Sequence, residues 1–281
     1  MSHSIDVGGL HRLYLLHVPA SLSKDRPSAV VFVLHGGGAA AAGTDRFTGF
    51  TRLADTEGFL VVYPDAVDRN WNDWRDANVR SQRDGVDDVG FIAAVLSRLS
   101  AEFRIDPNRV YATGISNGGF MTQLLGAQLS DRFAAIASVA SGMSPRLAER
   151  FQPKEPVAVL VINGTADPLV PYLGGRVALN RGTTISTADI VRKWVAHNRC
   201  TEKPETSYLA DVDPADGTRV RRDLYSGCAR GTDVVLLTIE GGGHTWPGGP
   251  QYLPQAVIGR TSRDIDATRT IWEFFSAHPR R

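Results

Sequence analysis

Short runs of apolar, largely β-branched residues recur along this 281-residue chain, each closing on glycine, proline or a small polar residue. They are LYLLHVP, AVVFVLHG, FLVVYPDA, RVYATGIS, FAAIASVAS, VAVLVING and VVLLTIEGGGH. Their hydrophobicity is continuous, not alternating. A strand needs that pattern when both of its faces are covered, as in a parallel sheet. Between the runs lie amphipathic stretches of helical period: VDDVGFIAAVLSRLSAEF with Phe91, Val95 and Leu99 on one face, NGGFMTQLLGAQLS, STADIVRKWVAHN and DIDATRTIWEFFSAH. Strands alternating with helices predict one α/β domain over residues 1–281, with a mostly parallel central sheet and helices on both faces. The charged, turn-rich segment around residues 201–228 breaks the rhythm and predicts a surface hairpin excursion. Its aspartates do not make a calcium loop, because Gly217 stands one place too late and no glutamate closes it.

The RVYATGISNGGF segment holds Gly114-Ile115-Ser116-Asn117-Gly118, a G-x-S-x-G set between a predicted strand and a predicted helix. A serine hydroxyl is a poor nucleophile unless it is exposed, oriented and relieved of its proton. A tight strand-to-helix turn supplies the first two, and flanking glycines keep it free of collisions. The third requires a base and an orienting acid, which on such a sheet follow the serine in the order acid, then histidine. Four of the seven histidines, His3, His11, His17 and His35, precede Ser116. His197 falls within a helical pattern and His278 in the C-terminal tail. That leaves His244, on a glycine-rich loop after VVLLTIE, as the general base. Asp167, on the loop after VAVLVING, is the acid expected to hold its Nδ1–H. Asp65 also follows a strand but precedes the serine. Bare backbone at His35-Gly36-Gly37-Gly38 suits an oxyanion hole formed by the amides of Gly37 and Asn117. A phosphate loop is the poorer reading of these glycines, since no Gly-Lys-Ser/Thr follows them.

Lys and Arg number 31 against 30 Asp and Glu. So even a balance gives nucleic acid or an anionic membrane no electrostatic hold as the main partner. The histidines and acids form no H-E-x-x-H or clustered ligand set, so no metal is expected. Cys200 and Cys228 read either as buried thiols or as a disulfide, and their polar, turn-rich surroundings favour the bridge. The first residues do not read as a signal peptide, so the chain is expected to be cytoplasmic, or exported with a leader absent from this sequence.

Together, LHGGG, GVDDVGFI, GISNGGFM, NGTADPLVPY and EGGGHTWPGG resemble the bacterial polyhydroxybutyrate depolymerase-like and feruloyl esterase family of α/β hydrolases. The likeness runs from about residue 7 to residue 275, and HTWPGG and VDDVGF are its most specific strings. It implies the α/β-hydrolase fold and a cofactor-free serine esterase with Ser116, Asp167 and His244 in the three roles already argued. Export to the periplasm or medium is also implied. The implied substrates are small or oligomeric esters: feruloyl or aryl esters, or soluble 3-hydroxyalkanoate oligoesters. Trp74, in the NWNDWRDANVRSQRDG segment, and Trp246, two residues beyond His244, are the candidate substrate-binding aromatics. An acyltransferase using the same triad on a sugar or alcohol acceptor is the alternative.

Overall fold

The computed structural model describes residues 1–22 and 25–281. The strands are β1 (Ser2–Val7), β2 (Leu10–His17), β3 (Ser28–Leu34), β4 (Leu60–Pro64), β5 (Ile105–Ile115), β6 (Ala135–Val139), β7 (Ala158–Gly164), β8 (Gly175–Arg176), β9 (Thr183–Thr184), β10 (Glu205–Tyr208), β11 (Arg219–Tyr225) and β12 (Val234–Glu240). Among the described residues, ten of them form one sheet in the order β1-β2-β4-β3-β5-β6-β7-β12-β11-β10. The middle six, from β4 to β12, run parallel. An antiparallel pair flanks them at each edge. The remaining two strands, β8 and β9, make a separate small hairpin.

Helices α1 (Ala41–Thr48), α2 (Phe50–Glu57), α3 (Arg80–Arg83), α4 (Asp88–Glu102) and α5 (Asn117–Gln128) follow in the first half. The second half carries α6 (Pro145–Glu149), α7 (Thr187–Asn198), α8 (Gln255–Ile258) and α9 (Ala267–Ala277). Strand β3 shows why two layers of helix are needed. Val30, Phe32 and Leu34 point into a core shared with α4, α5 and α7. Ala29, Val31 and Val33 point the other way, into a core shared with α2 and α9. A strand buried on both faces has no polar side to offer water, which is what its unbroken hydrophobicity encodes.

The VDDVGF string is a structural latch. Asp87 caps α4, accepting from the Gly90 amide at 2.7 Å. Asp88 is buried, accepting from Arg12 Nη2 at 2.6 Å and the Asn72 amide at 2.7 Å. It thereby ties β2 to the loop after β4.

The segment around residues 201–228 differs from its expectation. It is a hairpin, but β11 pairs with β12 along its whole length and so extends the central sheet. On β11 only Val220 and Asp223 are buried, so this antiparallel strand near the edge carries no continuous apolar run. A search for continuous apolar runs passes over such a strand. Cys200, after α7, is disulfide-bonded to Cys228, after β11. Among the described residues no helix is long and apolar enough to cross a membrane.

Candidate active site

Ser116 sits at the junction of β5 and α5 with φ 56° and ψ −123°, a conformation that costs a non-glycine residue about 1–3 kcal/mol. Two hydrogen bonds hold it there: its amide donates to Val139 O at 3.0 Å, and its carbonyl accepts from Phe120 N at 2.9 Å. The flanking glycines are sterically required. A Cβ on Gly114 would stand 2.6 Å from the Gly118 carbonyl carbon, and one on Gly118 would stand 2.5 Å from His35 O. Strand end, elbow and helix start thus pack backbone against backbone.

Asp167 leaves the end of β7 on a loop sewn to the one after β12. Thr165 N donates to Ile239 O at 3.0 Å and Ala166 N to Gly242 O at 2.9 Å. The Asp167 carboxylate divides its work. Oδ1 accepts from the amides of Leu169 and Val170 at 2.8 and 2.9 Å, and Oδ2 lies 2.8 Å from His244 Nδ1. Both side chains are almost wholly buried. The glycines before His244 have separate jobs. Gly241 turns the chain at φ +73°, while Gly242 and Gly243 allow the loop to press against its neighbours. Tyr252 donates its hydroxyl to His244 O at 2.9 Å. Burial, with the Asp167 charge second, pushes that hydroxyl up to about 12, so it remains a donor.

Ser116 and His244 line one cavity of about 410 Å³ together with Gly36 and Gly37. Its walls are largely apolar, with Phe47, Leu169, Val170 and Val177, and two cations, Arg75 and Arg181, also line it. Neither the Gly37 nor the Asn117 amide donates to a protein acceptor among the described residues. The Asn117 side chain is locked from below. Its Oδ1 accepts from Trp71 N at 2.8 Å, and its Nδ2 donates to Asp73 Oδ2 at 2.7 Å. Burial pushes the Asp73 carboxyl up, against the pull of Arg75 and of the Asn117 and Gln82 amides that donate to it. His35 is a buried structural group, its Nε2 accepting from Ala66 N at 3.1 Å. Burial holds its pKa below the ordinary value. Asp65 accepts from the Ala41 amide at the start of α1 and plays no part near His244.

The two tryptophans assigned to substrate binding lie elsewhere. Trp246 is 1% exposed, its indole donating to Thr268 Oγ1 at 3.0 Å between the edges of Phe47 and Phe50. It anchors the His244 loop to the core. Pro247-Gly248 sends the chain back over the start of α9, so the ring faces inward. Trp74 lies under the Arg146 guanidinium at 5.1 Å and is not part of the cavity wall. The aromatic wall is instead Phe47 and Tyr252. No motif marks either of them. Their only sequence signal is proximity, Phe47 to the triple glycine and Tyr252 to His244.

Sheet order and site together define an α/β hydrolase, and its chemistry is that of a carboxylic ester hydrolase. A solved acetyl xylan esterase from Aspergillus awamori superposes with a TM-score of 0.65 over 99% of both chains at 15% identity, a likeness of fold. Residues 12–153 match the family model described as Esterase PHB depolymerase, and the chain belongs to that family. NocK of Nocardia uniformis subsp. tsuyamanensis, an esterase by name, is 34% identical over 97% of this chain and 81% of its own length. Feruloyl esterase D of Neurospora crassa is 26% identical over 96% of this chain and 83% of its own.

Proposed function

We propose that Ser116, His244 and Asp167 hydrolyse esters through an acyl-enzyme, and that the substrates are feruloyl or other aryl esters, or soluble 3-hydroxyalkanoate oligoesters. The observation that carries this reading is the buried Asp167–His244 pair at 2.8 Å, whose His244 lines one cavity with the strained Ser116. With Nδ1–H donated to Asp167, Nε2 is the basic nitrogen and takes the Ser116 proton as Oγ attacks the ester carbonyl. The Gly37 and Asn117 amides receive the developing oxyanion, each such donor contributing on the order of 3 kcal/mol. The imidazolium then protonates the departing alcohol, and the same nitrogen activates water to release the acid.

A cavity of about 410 Å³ with apolar walls suits a short acyl or aryl group. The feruloyl esterase of Neurospora crassa among the relatives favours the aryl class. The Cys200–Cys228 bridge supports an oxidising compartment, and so export. The test is Ser116→Ala on p-nitrophenyl butyrate, beside wild-type enzyme on methyl ferulate and 3-hydroxybutyrate oligomers. Folded Ser116→Ala is expected to lose on the order of 10⁶ in kcat. Retention of more than a small fraction of the rate would remove Ser116 as nucleophile.

A further inference from the structure

The two cations in the cavity wall are in different states. Arg75 is neutralised in place: its guanidinium lies 3.2 Å from Asp73 and 4.5 Å above the Phe120 ring. Arg181 is partly buried and, among the described residues, has no carboxylate in range. The one hydrogen bond of its guanidinium, to Asn70 Oδ1, spans 3.5 Å, at the outer limit for such a bond. Its position is specific. A Cβ added to Gly37 would collide with Arg181 Nη1 and stand 3.6 Å from Asn117 Cβ. The guanidinium therefore lies against Gly37, one of the two proposed oxyanion donors, on the side that faces the Asn117 side chain. It is also held there. Arg181 leads into Gly182, whose φ of +82° and contact with the Arg75 carbonyl leave no room for a side chain. The β8–β9 hairpin brackets the segment. A half-buried arginine without a carboxylate partner, facing an apolar cavity, is a binding site for an anion.

We propose that Arg181 determines specificity by receiving a substrate carboxylate. The preferred esters then carry an anionic group a few bonds from the scissile carbonyl, as in hemiesters of dicarboxylic acids and hydroxy-acid oligoesters with a free acid end. This rests on reading the cavity at Ser116 as the reaction site. Two matched pairs test it, one for each side of the ester. Monomethyl adipate against methyl hexanoate places the charge on the acyl side. The acetate ester of a terminal hydroxybutanoate against butyl acetate places it on the alcohol side.

For each pair the ratio of kcat/KM, charged over neutral, is measured in wild type, Arg181→Gln and Arg181→Lys. In at least one pair, Arg181→Gln lowers that ratio on the order of ten- to a hundredfold, the scale of a hydrogen bond to a charged group. The change falls on KM, and Arg181→Lys recovers part of it because charge remains while the fork is lost. An unchanged ratio in both pairs overturns the proposal. So does an equal loss on both members of a pair, which would make Arg181 a part of the oxyanion cradle or of the fold. Ser116→Ala, run alongside, separates the two layers. If it is inactive while the ratios do not respond to Arg181, the serine reading stands and the carboxylate site falls. If it is active, both fall.

Discussion

Gly118 tests whether backbone packing at the elbow sets the catalytic geometry. In Gly118→Ala the new Cβ would stand 2.5 Å from His35 O and 2.7 Å from the Leu34 carbonyl carbon. Both are main-chain atoms at the end of β3, which is hydrogen-bonded between β4 and β5 and cannot move aside. Leu34 O stands nearer still, so relief to about 3.3 Å, still inside the van der Waals optimum, demands a shift of roughly 1 Å by the start of α5. The Asn117 amide moves with it, away from Gly37. A misplacement of about 1 Å in a reacting constellation lowers rate on the order of 10²-fold, and overpacking destabilises by about 1–3 kcal/mol.

The assay is kcat on p-nitrophenyl butyrate paired with a urea transition. Gly126→Ala, on the same helix, is the control. Its nearest neighbours all belong to one side chain, Ile136, with Cδ1, its far end, at 2.6 Å and Cγ2 and Cγ1 at 3.3 and 3.4 Å, and no main-chain atom is among them. That variant is expected to hold kcat within about twofold, its overpacking partly offset by the gain in helix propensity of about 1 kcal/mol. If Gly118→Ala keeps kcat within about threefold and unfolds at the wild-type midpoint, the backbone-packing argument is refuted.

Replacing both Cys200 and Cys228 by alanine should destabilise by roughly 3.5 kcal/mol, the loop-closure value for cysteines 28 positions apart. A urea midpoint equal to that of the oxidised wild type would rule this out. His35 gives a pH dependence of known sign. Its folded pKa lies below the ordinary 6.5, so the unfolded chain takes up the proton first as pH falls. Its contribution is complete above about pH 6.5 and erodes below it. His35→Gln should be less stable at pH 7.5 and lose less stability between pH 7.5 and 5.5. A steeper loss in the variant would contradict the assignment.

What could be read from the residues follows what local pattern can encode. Continuous runs such as AVVFVLHG and VAVLVING mark strands whose two faces are both covered, and each lies in the parallel centre of the sheet. β1, β10 and β11 alternate or are polar, so the same criterion could not find them. The elbow glycines were legible because a steric demand fixes residue type. The wall of the cavity was not, because the direction of a side chain depends on turns further along. Trp246 is adjacent in sequence to the His244 loop, yet Gly248 carries the chain inward and buries the ring. Arg181 and Asp73 reach the site from distant segments, 65 and 43 positions from Ser116. Nothing in their own neighbourhoods announces either residue.

The hairpin of β10 and β11 has a consequence for motion. Because β11 covers β12, the strand that delivers His244 has hydrogen-bonded neighbours on both sides. β10, exposed throughout, is the sheet's frayed border on that side. Amide exchange on β12 then needs the cooperative opening of the sheet, whereas exchange on β10 needs only local detachment. The strand that carries His244 is insulated from breathing at the border, and the Cys200–Cys228 bridge ties the segment just before β10 to the one just after β11.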